Sequence, residues 1–131
     1  MAKAQAKYVD GFVFTVPKKN CKAYIEIAEY GKQLWMKHGA LDYFECSGDD
    51  LVAIPGPDGV KPREFTKITN AKSDETVWFS FITFNSKEHR DAVNAKVMKD
   101  PSMNDPKWKD MPMPFDVSKM AYGGFRVEVS S

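Results

Sequence analysis

The stretch that decides the fold is Thr76-Val77-Trp78-Phe79-Ser80-Phe81-Ile82-Thr83-Phe84. Its many aromatic and β-branched residues predict a strand. Alternation along a strand places Val77, Phe79, Phe81 and Thr83 on one face and Trp78, Ser80, Ile82 and Phe84 on the other. Neither face is polar enough to lie against water, so the strand belongs in a sheet that is covered on both sides. The rest of the chain has to supply both covers.

The length and composition of the chain limit the kinds of protein to which this sheet can belong. The chain has 131 residues, of which 43% are hydrophobic and 28% charged, which predicts one globular domain over residues 8–131 behind a flexible tail at residues 1–7. The net charge of +1 disfavours binding of nucleic acid. No apolar run approaches the ~20 residues of a membrane helix, so we expect no membrane association. Cys21 and Cys46 lack CxxC spacing, which favours a reduced, cytoplasmic protein without a disulfide framework.

The flanking segments predict two split β-α-β halves. A first strand covers residues 8–16 and stops at Pro17, and an amphipathic helix follows over 21–37, with Asn20 as N-cap and Gly39 as its stop. A second strand is predicted at 40–47, a second helix at 87–99 with Ser86 as N-cap, and a last strand at 122–129. This order predicts an α+β, ferredoxin-like βαββαβ sandwich, with a four-stranded antiparallel sheet and two helices on one face.

Two long connections separate these halves, at residues 49–75 and 102–120. Within the first, residues 63–68 fit either a short helix or an extended piece. Connections of this length are unusual in a compact domain, so we expect them to pack over a site or a partner. The second contains Trp108 and the segment Met111-Pro112-Met113-Pro114-Phe115-Asp116, which we expect to be extended and docked by its apolar side chains.

Two helices can cover only one face of such a sheet. The other face has to hold large apolar residues, either Trp78, Ile82, Phe84, Tyr8, Phe12 and Phe14 or their neighbours of opposite parity. Leaving several of them in water would cost on the order of 1.5–3 kcal/mol each. We therefore expect a homodimer that packs sheet against sheet. The alternative cover is the chain's own loops, above all residues 102–120.

Short blocks of residues add a family likeness that runs from residue 8 to residue 129. They include Tyr8-Val9-Asp10-Gly11-Phe12-Val13, His38-Gly39-Ala40-Leu41, Gly48-Asp49-Asp50, Met113-Pro114-Phe115-Asp116 and Tyr122-Gly123-Gly124-Phe125. In this order the blocks resemble those of the YbaA-like bacterial proteins, a family of unknown function placed among the dimeric α/β barrels. The resemblance implies a ferredoxin-like protomer and a two-sheet dimer. It implies no catalytic residue.

Asp10 and His38 are the catalytic candidates. Asp10 is an acid in a strand that is otherwise apolar, where burial would raise its pKa and suit a general base; the alternative is a structural ion pair, for instance with Arg126 on the neighbouring last strand. His38, at the end of the first helix, could shuttle protons or simply cap that helix. His89 is expected at the surface.

Binding and metal candidates come from the aromatic and acidic residues. Tyr8, Trp78, Ser80 and Tyr122 could line a small-molecule cavity, with core or dimer interface as the alternative. Cys21 is interpreted as a surface thiol. Asp49-Asp50 and the methionines lack ligand spacing, so we predict no metal site and no cofactor.

The sequence leaves the function open between classes. The first hypothesis is a homodimer that binds a small apolar or aromatic molecule in the dimer interior, or transforms it without a cofactor. The alternative is a non-catalytic structural or regulatory dimer module. RNA binding ranks third, because the chain is nearly neutral.

Overall fold

A computed structural model describes residues 5–131 of the chain. Residues 1–4 of the predicted tail lie outside the described residues. Lys7, at the end of that predicted tail, is bonded to two strands of the sheet: its N–H donates to the Phe84 carbonyl at 2.9 Å, and its own carbonyl accepts from Val127 N–H at 2.9 Å.

The elements follow the predicted order with small shifts at their ends. The strands are β1 (Tyr8–Pro17), β2 (Asp42–Ser47), β3 (Glu75–Phe84) and β4 (Ala121–Arg126). The helices are α1 (Cys21–Lys37), α2 (Phe65–Ile68), α3 (Lys87–Met98) and α4 (Pro106–Lys109), with 3-10 turns at Lys18–Asn20, Pro101–Asn104 and Val117–Lys119. Residues 63–68 thus contain a short helix, which settles that alternative.

The four strands form one antiparallel sheet in the order β2-β3-β1-β4. In the register of its neighbours, β1 sets Phe12 opposite Ser80 of β3 and opposite Tyr122 of β4. On the other side of β3, Glu45 of β2 lies opposite Ser80. With the βαββαβ element order, this arrangement confirms the predicted ferredoxin-like class.

The helix caps agree with the sequence at one end and differ at another. Ser86 caps α3, since its hydroxyl accepts from His89 N–H at 2.9 Å. Gly39 follows α1 with a φ of 109°, in the left-handed region that glycine adopts freely. Asn20 does not cap α1, so that prediction was wrong: its amide donates to the Pro114 carbonyl at 2.8 Å instead. The amide of Asn20 ties the 101–120 segment to the start of α1.

The helix-covered face of the sheet holds two hydrophobic clusters. The first joins Phe14, Val16 and Trp78 to Tyr24 and Ala28 of α1 and to Phe115. The second joins Ile82 and Phe84 to Leu34 and Ala40 and to Val93 and Val97 of α3. Phe12 packs against both. Of the two sets that the sequence left open, the one containing Trp78, Phe14 and Phe84 therefore lies beneath the helices.

The opposite-parity residues form what we call the open face of the sheet. It includes Phe44 and Cys46 of β2, Phe79 and Phe81 of β3, Val9 and Val13 of β1, and Phe125 of β4. Phe44, Phe79 and Phe125 are 49%, 46% and 62% exposed. The loop after β2 also exposes Val52, Ile54 and Val60.

The segment at 101–120 packs on the helix side. Phe115 is buried in the first cluster, with its ring centroid 4.9 Å from that of Phe14. Trp108 stacks on Tyr30 of α1 with centroids 4.3 Å apart. The expectation that residues 111–116 dock through apolar side chains is confirmed by Phe115, and these residues contain no helix. The helical turns of the longer segment lie outside them, at Pro101–Asn104, Pro106–Lys109 and Val117–Lys119. Because Phe115 and Trp108 pack on the helix side, they do not shelter the open face.

Candidate functional site

Two groups of polar side chains lie on the helix-covered face, and the predicted site residues divide between them. Asp10, Tyr8 and Tyr122 belong to one group, at the β1–β4 side. Trp78 and Ser80 belong to the other, at the β2–β3 side. His38 lies in neither group. These residues therefore do not form a single chamber between two open sheet faces, which corrects the position in which the sequence placed the binding candidates.

Asp10 is 1% exposed and is paired with an arginine from α3. Arg90 Nη1 donates to Asp10 Oδ1 at 2.7 Å and lies 3.4 Å from the Tyr122 hydroxyl. The same guanidinium stands 5.0 Å above the ring of Tyr8. Burial raises the pKa of Asp10, while the charge and hydrogen bond of Arg90 oppose that rise. The suggestion that Arg126 pairs with Asp10 was wrong. Arg126 lies opposite Tyr8 in the register, and its guanidinium binds Glu128.

His38 is paired with an acid at the end of α3. Its Nε2 is 2.7 Å from Asp100 Oδ2, and Lys37 Nζ is 3.0 Å from the same oxygen. Hydrogen bonds from Ser102, and then from His38 and Lys37, hold the pKa of Asp100 well below its usual value. His89 is half-buried: its Nδ1 accepts from Asn85 N–H at 3.0 Å, and its ring packs edge-on to Phe84. Neither histidine lies beside the cavities described below.

The second group centres on Glu45, which the sequence did not single out. The Tyr24 hydroxyl lies 2.5 Å from Glu45 Oε2 and 2.9 Å from Oε1, and donates to this carboxyl group. The Ser80 hydroxyl, from the opposite residue of β3, donates a second hydrogen bond. Burial raises the pKa of Glu45, and these two hydrogen bonds oppose the rise. Burial and the nearby Glu45 also raise the pKa of Tyr24, which keeps that phenol protonated as a donor.

A groove between α1 and β2 opens beside this carboxyl group. It has a volume of about 360 Å³ and is lined by Ile25, Ala28, Glu29, Lys32, Tyr43, Glu45, Ser47 and Trp78. A smaller cavity of about 170 Å³ shares Tyr43 and Glu45 and reaches Phe12, Ser80 and Ile82 under the helix. The larger volume falls within the range of small-molecule sites.

Two features shape this groove. Gly31 of α1 lets the Tyr43 hydroxyl come close, because a Cβ at residue 31 would stand 2.8 Å from that oxygen. Trp78 is 4% exposed, and its indole Nε1 has no hydrogen-bond acceptor within residues 5–131. A buried donor without an acceptor is uncommon in native proteins. The groove itself combines an acid with aromatic and aliphatic walls.

No group of three or more His, Cys, Asp or Glu side chains in residues 5–131 is arranged to hold a metal ion. No helix formed by these residues has the length and apolar character needed to cross a bilayer.

The fold and the groove define the class of this protein: a ferredoxin-like α+β protein with an acid-bearing groove under its first helix. Residues 7–117 match the family described as "Protein of unknown function (DUF1428)", and the chain belongs to that family. It is 44% identical over 119 residues to "Uncharacterized protein YbaA" of Escherichia coli (strain K12), which covers 91% of this chain and 94% of the relative. The protein of the same name from Shigella flexneri matches equally. These matches confirm the resemblance seen in the sequence.

Proposed function

We propose that this is a cytoplasmic homodimer, with residues 8–131 as one domain, that binds a small apolar or aromatic molecule in the groove between α1 and β2. The observation that carries the binding proposal is the Glu45 carboxyl group, which lies half-buried at a groove of about 360 Å³ with aromatic and aliphatic walls. The free thiols of Cys21 and Cys46 support a reducing compartment.

Binding can be tested by NMR of protein labelled with ¹⁵N at its indoles, against a library of monocyclic aromatic compounds. The Trp78→Phe variant assigns the relevant signal. We expect a subset of compounds to shift the Trp78 signal and leave that of Trp108 in place. Ser47→Phe, at the exposed rim of the groove, should weaken those shifts, whereas Ser73→Phe, exposed elsewhere, should not. If no compound moves the Trp78 signal at millimolar concentration, the binding proposal is wrong.

The homodimer proposal is supported by the open face. Phe44, Phe79 and Phe125 are exposed together on one side of the sheet, and monomeric proteins seldom leave such contiguous aromatic surface in water. A second copy applied by two-fold symmetry would cover the same residues on both protomers. The groove lies on the other side of the sheet and stays accessible in such a dimer.

Sedimentation velocity tests the dimer directly. The wild-type chain should sediment at twice its 14.8 kDa mass. Phe79→Glu, on the open face, should shift the protein to protomers. Met98→Glu replaces a similarly exposed apolar residue on α3 and should leave the dimer intact. A folded wild-type protomer at all concentrations would contradict the proposal.

A second candidate function is a non-catalytic structural or regulatory dimer module. The pairing of Asp10 with Arg90 and of His38 with Asp100 favours it, because both catalytic candidates of the sequence are already engaged with partner side chains. An intact dimer whose groove binds none of the compounds would select this function over the first.

A further inference from the structure

Glu45 differs from the buried acids elsewhere in the protein in having no cation beside it. Asp10 has Arg90 at 2.7 Å, and Asp100 has Lys37 at 3.0 Å and His38 at 2.7 Å. Glu45 receives hydrogen bonds from hydroxyl groups and forms no ion pair with any residue in 5–131. A half-buried carboxylate without a counter-charge gives up part of its hydration, and a cation supplied from outside would offset that cost.

The charges around the groove do not supply that cation. Lys32 lines the groove, but its Nζ lies 2.7 Å from Glu29 Oε2, one turn along the helix. Glu29 and Lys32 therefore neutralise each other, and Glu45 leaves the groove with an excess of negative charge. An anionic ligand would meet this charge unfavourably, whereas a cationic ligand would be attracted to it.

The walls around Glu45 suit an organic cation. Ser47 lies opposite Trp78 in the register and Glu45 two residues earlier on β2, so Glu45 and Trp78 are diagonal neighbours on the same face. Diagonal neighbours on two paired strands stand roughly 7–8 Å apart, measured between their backbone positions across the sheet. One small ligand can therefore reach both side chains. Tyr43 shares this face and lines the groove with them. Faces of tyrosine and tryptophan attract ammonium groups, and Ile25 and Ala28 offer apolar surface to the body of the ligand.

We propose that the groove binds a small amine with an aromatic or aliphatic body, whose ammonium group pairs with the Glu45 carboxylate against the rings of Tyr43 and Trp78. This inference rests on the proposed function, since it assigns the chemical class of ligand to the same groove. Tyr24 and Ser80 take the role of positioning residues, because their hydroxyl groups orient the carboxylate.

The pH dependence of binding follows from the groups that face Glu45. These are Tyr24, Glu29 and Lys32 from α1 and Tyr43 from its own strand. Burial and the acidic neighbours raise the pKa of both tyrosines, so neither gains a charge near neutral pH. Ammonium binding needs the ionised carboxyl group, whose pKa is also raised. Affinity for an amine should therefore increase as the pH rises from 4 to 8.

The test compares three probes of nearly equal size: benzylamine, benzyl alcohol and benzoate. Their affinities are measured on the full chain by titration of the Trp78 indole signal at pH 8 and at low salt. Benzylamine should bind about tenfold more tightly than benzyl alcohol, as expected for a charge-assisted contact. Benzoate should bind more weakly than either. Lowering the pH to 4 should weaken benzylamine binding and leave benzyl alcohol binding nearly unchanged.

Two variants complete the test. Glu45→Gln keeps the shape of the side chain and should remove the preference for benzylamine while benzyl alcohol still binds. Glu26→Gln makes the same change at an exposed acid of α1 that does not line the groove, and it should change nothing. Thermal unfolding of each variant checks that the fold is retained.

The outcomes separate the two proposals. If no probe moves the Trp78 signal, both the groove function and this inference are wrong. If benzyl alcohol or benzoate binds as tightly as benzylamine, or if Glu45→Gln keeps the preference for the amine, the groove binds ligands but the amine assignment is overturned.

Discussion

At the scale of single residues, burial and partner decide what each acid does. Asp10 and Asp100 are buried and have cations, whereas Glu45 is half-buried and has only hydroxyl donors. An ion pair fixes a charge in place and leaves little for a ligand to gain. The unpaired acid beside the groove is consequently the better candidate for binding.

The pair between Asp10 and Arg90 makes a stability prediction. Arg90→Met should lower the free energy of unfolding by about 3 kcal/mol, because it leaves Asp10 buried without its cation. Arg126→Met removes an arginine that is 80% exposed and should change the value by less than about 0.5 kcal/mol. Urea unfolding at equal protein concentration measures both. Equal losses in the two variants would show that Arg126 contributes to the burial of Asp10 after all.

The lowered pKa of Asp100 predicts how the free energy of unfolding depends on pH. Its pKa in the folded protein is lowered by hydrogen bonds from Ser102, His38 and Lys37, below an unfolded value of about 4. Its stabilising contribution is therefore present above pH 4 and is lost as the pH falls through the folded-state pKa. The free energy of unfolding of the wild type should fall more steeply between pH 5 and pH 2 than that of Asp100→Asn. Asp50→Asn, at an exposed loop position, should follow the wild-type curve.

At the scale of elements, the regular segments were predictable and their partners were not. The strands β1 and β3 and the helices α1 and α3 follow from hydrophobic periodicity, which is a local property of the chain. Because β1 and β3 are apolar on both sides, periodicity alone could not say which face the helices cover. Asn20 shows the same limit: its sequence context fits a cap, but a carbonyl 94 residues away takes its amide.

The groove could not be predicted from the sequence either, because contacts between distant elements define it. Glu45 and Tyr43 alternate with Phe44 and Cys46 along β2, so the sequence did contain a signal: an acid on the same face as an aromatic residue. What makes Glu45 special comes from Tyr24 on α1 and Ser80 on β3, and these contacts exist only after the sheet has assembled. The sequence predicted the fold class, and of its candidate binding residues Trp78 lines the groove where we propose binding and Ser80 lines the smaller cavity beside it.

The cap of α3 makes a prediction at this scale. Ser86→Ala removes the acceptor of His89 N–H and should lower the free energy of unfolding by about 1 kcal/mol. Ser86→Asp keeps an acceptor at the cap and should retain wild-type stability. Urea unfolding measures both variants. A loss in Ser86→Asp as large as in Ser86→Ala would mean that packing, and not capping, matters at this position.

At the scale of the whole molecule, the sheet separates two surfaces of different character. The helix side holds the groove, and the open face holds the exposed aromatic residues. A dimer formed through the open face would leave both grooves on the outside of the pair. Ligand binding and dimer formation can therefore be tested independently of each other.

The exposed position of Cys46 on the open face leads to a prediction about thiol labelling. Cys46 is exposed on the open face, whereas Cys21 is half-buried at the start of α1. In the Cys21→Ser variant, labelling of Cys46 should slow down as the protein concentration rises and dimers form. In Cys46→Ser, labelling of Cys21 should not depend on concentration. A concentration-independent rate at Cys46 would indicate that the open face is not covered by a second copy.

The position of β1 in the sheet has a consequence for biosynthesis. Of the four strands of this sheet, the one that leaves the ribosome first is an inner strand: Tyr8 lies opposite Phe84 on one side and opposite Arg126 on the other. Neither neighbour exists while the early part of the chain is being translated, and such distant pairings form slowly. A nascent chain that stalls before residue 121 would expose one edge of β1, and an unpaired edge invites aggregation. The strand of this sheet that is synthesised last thus pairs with the one synthesised first.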